Sequence, residues 1–204
     1  MLAFTPSSPR SSAPYQPSYF KGDGTIATDT WYDSRGDKSK VNNDYYLADG
    51  PDGVLKIPSM AVPSSTEYLY DGAQRPTAIR DLANDNNLLW TTQMSYTGAD
   101  TTTVTGPGNE AAVTTIKNLN GKTETRKNFH GPAATGASDV ATYQYDALGR
   151  LKGMTDTVGN AWSWTFDAAG RETAANDPDA GARSTTYDTT GRTLTTTDAT
   201  GAVT

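Results

Sequence analysis

Six aspartates of this chain stand on a strict period. Asp146, Asp167 and Asp188 are each 21 residues apart, and Asp156, Asp177 and Asp198 repeat that spacing between them. Carboxylates held in pairs are the usual equipment of general acid–base chemistry. Here, however, each aspartate is followed three or four residues later by a glycine: Gly149, Gly159, Gly170, Gly181, Gly191 and Gly201. Aspartate at i and glycine at i+3 is turn chemistry, because the carboxylate accepts backbone N–H groups ahead of it and glycine tolerates the exit geometry. His130 is the single histidine and there is no cysteine, so thiolate metal sites, cysteine nucleophiles and disulfides are excluded, and a Ser-His-Asp site would need partners from afar. Asp177-Pro178-Asp179-Ala180-Gly181 starts like a calcium loop but lacks the later ligands and the closing bidentate glutamate. Arg35-Gly36-Asp37 is an adhesion-like tripeptide that falls where a repeat turn is expected.

Two further rows accompany the aspartates. Arg150, Arg171 and Arg192 each follow a closing glycine, while Tyr145, Phe166 and Tyr187 each precede an aspartate. The arginines read as a ladder pairing with turn aspartates of neighbouring hairpins, or as a ligand-facing row for anionic glycans or an enclosed cargo. Trp162 and Trp164, with Tyr143, Tyr145, Phe166 and Tyr187, read as apolar packing for one sheet face, or as a glycan- or cargo-facing platform.

The elements that position these residues are short strands. Six or seven residues separate successive turns, a common strand length. In Asn160–Phe166, Trp162, Trp164 and Phe166 point one way while Ala161, Ser163 and Thr165 point the other. Thr193–Thr197 suits a pleated, half-exposed surface. Asp177–Gly181 carries one extra turn residue and the strand after it is one shorter, so the period survives. The expected fold is all-β: tandem 21-residue hairpins joined into an antiparallel ribbon.

Three zones follow. Residues 1–20, rich in Ser and Pro, read as a flexible leader or linker. Residues 21–140 carry degenerate copies with longer loops: Tyr32-Asp33-Ser34-Arg35-Gly36 has Asp37 where Arg would stand, Tyr70-Asp71-Gly72-Ala73-Gln74-Arg75 loses the closing glycine, and Asn118-Leu119-Asn120-Gly121-Lys122 replaces Asp by Asn and Arg by Lys. Residues 141–204 hold three regular repeats, the last cut short. Only Arg75–Leu89 is compatible with a short helical turn.

Leu, Ile, Val and Phe number 27 of 204 residues, a thin supply for a core, but 11 Tyr and 4 Trp add large burial areas. A single-layer sheet with one wet face fits that composition. The net charge of −6 and pI near 4.7 oppose a nucleic-acid partner, which calls for a basic stripe. No run approaches the roughly 20 apolar residues of a membrane helix, and Met1–Phe20 lacks the basic and apolar regions of a secretory signal. No motif assembles a nucleophile, a base and oxyanion donors, so neither catalysis nor a cofactor is expected.

The aromatic-Asp-x-x-Gly-Arg motif at Tyr145–Arg150, Phe166–Arg171 and Tyr187–Arg192, with an Asp-x-x-Gly half-repeat between, resembles the YD repeat of RHS proteins. The resemblance is tight over Ala141–Thr204 and looser over Tyr32–Gly36, Tyr68–Arg75, Trp90–Thr105 and Ile116–Pro132. It implies that the hairpins are part of a larger spiral shell, the hollow β-cocoon also formed by toxin-complex shell components and teneurins. In bacterial polymorphic toxins that shell holds a variable C-terminal toxin domain. The family's self-cleaving aspartates belong to a block with no match here. The expectation is therefore a non-enzymatic shell segment of a secreted or cell-surface protein longer than this chain. Its partners would be the rest of the shell and the toxin domain. A cell-surface adhesion or carbohydrate-binding module is the alternative.

Overall fold

The computed structural model describes residues 11–12, 15–16, 25–47 and 62–204. They fold into two compact units, Met1–Ser95 with Thr105–Glu110, and Tyr96–Val104 with Ala111–Thr204. Both are built as the sequence predicts: all-β, with paired strands antiparallel.

In the first unit β1 (Ser11–Ser12) and β2 (Tyr15–Gln16) both pair with β3 (Thr25–Tyr32), which pairs with β4 (Lys38–Leu47). The order continues through β5 (Ser64–Tyr70), β6 (Pro76–Ala83) and β7 (Leu88–Thr97). The helical turn allowed over Arg75–Leu89 is one 3-10 turn, Asn84–Asn86, linking β6 to β7. Apart from β1 and β2, the proposed leader lies outside the described residues. A buried row crosses four strands here, Asp29–Asn42–Ser65–Leu82, with Thr25, Ala27 and Tyr45 beside it.

In the second unit β8 (Thr101–Thr105), β9 (Val113–Lys117), β10 (Thr123–Phe129) and β11 (Ser138–Tyr145) follow in order. Then come β12 (Leu151–Thr155), β13 (Ala161–Phe166), β14 (Glu172–Asp177), β15 (Gly181–Tyr187) and β16 (Thr193–Thr197). The connections at 106–112 and 130–137 are longer than the turns that follow.

The alternation read from Asn160–Phe166 is present: Trp162, Trp164 and Phe166 are half-buried and Ala161, Ser163 and Thr165 exposed. The aromatics do not form a closed core, however. Ala112 is the one fully buried residue described in the second unit. One sheet layer removes part of each ring from water and has no second layer to cover the remainder. No helix among the described residues is long and apolar enough to cross a membrane.

Candidate functional site

The periodic residues meet at the turns. Asp146 Oδ1 accepts the backbone N–H groups of Leu148 and Arg150, each at 2.9 Å, while Gly149 N–H bonds the Asp146 carbonyl. The same arrangement surrounds Asp33, Asp71, Asp156, Asp167, Asp188 and Asp198. Asn118 reproduces it with its amide oxygen, which accepts Asn120 and Lys122 N–H. Asp177 departs from the pattern: its longer turn offers Asp179 and Ala180 N–H instead.

These hydrogen bonds favour the ionised carboxylate. The Arg150 N–H does most to hold Asp146 below the ordinary aspartate range, against partial desolvation, and the Arg171 N–H acts likewise on Asp167. Asp71, Asp177, Asp188 and Asp198 are lowered in the same direction, again chiefly by hydrogen bonds. Carboxylates that accept this many N–H groups are structural acceptors, with little capacity left to move protons.

Past each aromatic-Asp turn the two strands go out of step by one residue, at Tyr32, Tyr70, Tyr145, Phe166 and Tyr187. Such a bulge re-aims side chains. Here it accompanies two contacts between successive hairpins. The Tyr187 hydroxyl donates to the Glu172 carbonyl at 2.7 Å, and Tyr145 reaches the Thr123 carbonyl at 2.9 Å. Tyr70 does the same to Lys38 at 2.9 Å in the first unit. Each acceptor is the residue just after the arginine position of the preceding motif.

The second contact is made by arginine. Arg150 Nε binds Asp146 Oδ2 at 2.6 Å, its guanidinium lies over the Phe166 ring at 4.7 Å, and Nη1 donates to the Asp167 carbonyl at 3.2 Å. Arg171 repeats the set with Asp167, Tyr187 at 4.6 Å and the Asp188 carbonyl at 3.3 Å. The ladder thus differs from the one expected. The ionic partner is the aspartate of the same turn, because that carboxylate lies within reach at i−4, and the neighbouring hairpin offers a ring face and a carbonyl. Gly170 and Gly191 close the turns beside this crossing in the left-handed conformation that favours glycine, with φ 86° and 90°.

The degenerate copies keep this logic by other means. Arg35 sits two residues early, yet its Nη1 still reaches the Asp71 carbonyl at 3.2 Å. It also faces Asp37 at 3.8 Å, and Asp37 accepts Gln74 Nε2 at 3.0 Å, so both charged ends of Arg35-Gly36-Asp37 are engaged by neighbouring turn residues. Gln74 takes the left-handed conformation in place of the missing glycine, with φ 61°. His130 lies on the surface against Asp139 at 3.2 Å. Asp177 spends Oδ2 on the Trp162 indole N–H, and no group of three His, Asp or Glu side chains among the described residues is placed to hold a metal.

Sequence reasoning missed a Trp–Asp pairing. Trp31 donates to Asp29, Trp90 to Asp81 and Trp162 to Asp177. Only the first pair is close in sequence, at i and i+2 on one strand face. The others join different strands and require the register.

Residues 145–182 match the family model described as the RHS repeat. Those residues carry an RHS repeat. The fold of the chain is similar to that of solved structures. The TcdB2-TccC3-Cdc42 crystal structure matches with TM-score 0.62 and 17% identity, over 96% of this chain and 11% of that one. TcdB2-TccC3 without its hypervariable C-terminal region matches with TM-score 0.63, 18% identity and the same coverage. The Tc holotoxin pore of Photorhabdus luminescens matches with TM-score 0.60 and 16% identity, over 95% of this chain and 11% of that one. The chain spans about a ninth of the length of these proteins. No curated protein matches it.

Proposed function

We propose that this RHS-repeat chain is a non-enzymatic wall segment of a secreted or cell-surface shell, which encloses or presents a C-terminal toxin domain. The observation that carries the reading is the contact between successive hairpins. Arg150 and Arg171 each tie their own aspartate to the next hairpin's ring and carbonyl. Such a device fixes how each hairpin follows the last, which is the requirement of a wall. The aspartates, glycines and arginines of 141–204 are structural under this reading, and the remainder of the shell and the toxin domain are the partners. The likeness to Tc proteins, one of them solved without its hypervariable C-terminal region, supports it through the fold.

The test is protease protection in the longer polypeptide that contains this chain. A domain C-terminal to the repeats should resist protease while the wall is intact and become sensitive when Arg150 and Arg171 are both replaced by alanine. Equal cleavage of that domain in both proteins would remove the enclosure reading.

A further inference from the structure

The buried row of the first unit leaves polar groups unanswered. Asp29 is fully buried, and Asn42 and Ser65 are 6% and 2% exposed. The register places the three side by side on one face, Asp29 opposite Asn42 and Asn42 opposite Ser65. Asp29 Oδ1 accepts the Trp31 indole N–H at 3.2 Å, and Oδ2 accepts the Tyr45 hydroxyl at 3.3 Å. Both donors are neutral. No Lys, Arg or His among the described residues forms an ion pair with this carboxylate. The Asn42 amide and the Ser65 hydroxyl likewise have no hydrogen-bond partner among the described residues.

A carboxylate taken out of water calls for a counter-charge, and buried polar groups call for partners. One hard cation answers both demands. Asp29 offers two oxygens, Asn42 one and Ser65 one, all of the kind that calcium takes. The spacing agrees. Side chains that rise in parallel from opposed residues set their oxygens about one strand spacing apart, about 4.7–4.9 Å. That gap is too wide for a direct hydrogen bond. Calcium, at about 2.3–2.6 Å from each oxygen, spans about 4.6–5.2 Å, whereas magnesium, at about 2.0–2.1 Å, spans only about 4.0–4.2 Å. A single carboxylate and neutral oxygens set the affinity at the weak end, about 10⁻⁴–10⁻³ M, the range of extracellular modules.

We propose that Asp29, Asn42 and Ser65 bind a calcium ion that ties β3 to β4 and β5. The test uses the 204-residue chain with terbium as the probe and calcium as the competitor. The Trp31 indole is hydrogen-bonded to Asp29, so terbium on that carboxylate is sensitised by tryptophan excitation. Emission should rise saturably and be displaced by calcium with a dissociation constant of about 10⁻⁴–10⁻³ M. Trp90 beside Asp81 and Trp162 beside Asp177 are the two other places where an indole adjoins a carboxylate across strands. Calcium-displaceable emission should therefore persist in Asp81→Asn and Asp177→Asn. Its affinity should fall at least tenfold in Asp29→Asn and in Asn42→Leu, with circular dichroism confirming that both keep their strands. Saturating calcium should also raise the thermal midpoint of the unsubstituted chain above its value in chelator, a reading that needs no variant. Absence of calcium-displaceable emission, or a midpoint that calcium leaves unmoved, would overturn the proposal. So would an unchanged affinity in folded Asp29→Asn or Asn42→Leu, or emission abolished by Asp81→Asn or Asp177→Asn.

Discussion

Phe166 offers a direct test of how the hairpins are joined. Tyr70, Tyr145 and Tyr187 each send a hydroxyl to the residue following the preceding motif's arginine position, at 2.7–2.9 Å. Phe166 occupies the same place with the Arg150 guanidinium over its ring, and the equivalent carbonyl belongs to Leu151. Phe166→Tyr supplies the missing donor without altering the stack. A hydrogen bond of this kind contributes a net of about 0.5–1.5 kcal/mol. For a chain of this size that corresponds to a rise in Tm of roughly 1–6 °C. Tyr187→Phe removes the equivalent bond and should lower stability by a similar amount of about 1 kcal/mol. Urea unfolding followed by tryptophan fluorescence reads both, through the midpoint at constant slope. If Phe166→Tyr leaves the midpoint unmoved or lowers it while Tyr187→Phe is destabilising, the inferred equivalence of the hairpins is wrong.

Three more outcomes are expected. Arg171→Leu loses the stack on Tyr187 and should cost about 0.5–1 kcal/mol from that contact alone, whereas Arg192→Leu, which has no ring beneath it among the described residues, should cost less; thermal melts of the two variants compare them directly. Gln74→Gly relieves a left-handed conformation that costs a non-glycine residue roughly 1–2 kcal/mol, and after the entropy of glycine and one exposed hydrogen bond to Asp37 are subtracted, a small rise in Tm should remain. The turn aspartates have folded pKa values below their unfolded ones, so their stabilisation is complete above the unfolded value and is lost as pH falls through the folded value. Near-UV circular dichroism should therefore stay constant from pH 7 to 5 and collapse only below about pH 4; a transition between pH 5 and 7 would contradict the role given to these carboxylates.

The hairpins were legible because turn and strand chemistry are local. Asp167 and Gly170 lie three residues apart and specify the turn without help from the rest of the chain, and the alternation of Trp162, Trp164 and Phe166 specifies the strand between turns. What joins one hairpin to the next was only half legible. The recurrence of Arg150 and Arg171 announced a ladder, but its partners depend on a one-residue bulge and on backbone carbonyls, which carry no side-chain signature. Arg35 illustrates the limit: it stands at the wrong place in its motif and still reaches the Asp71 carbonyl. The buried row Asp29–Asn42–Ser65–Leu82 was invisible for a related reason, since its four members belong to different strands and only the register aligns them.

Electron cryo-microscopy of the longer polypeptide containing this chain tests the wall assignment most directly. The account predicts that β8–β16 run on into further hairpins as one face of a closed wall, with density for a C-terminal domain on its inner side. A free-standing β8–β16 sheet with solvent on both faces, and the C-terminal domain outside it, would contradict the account.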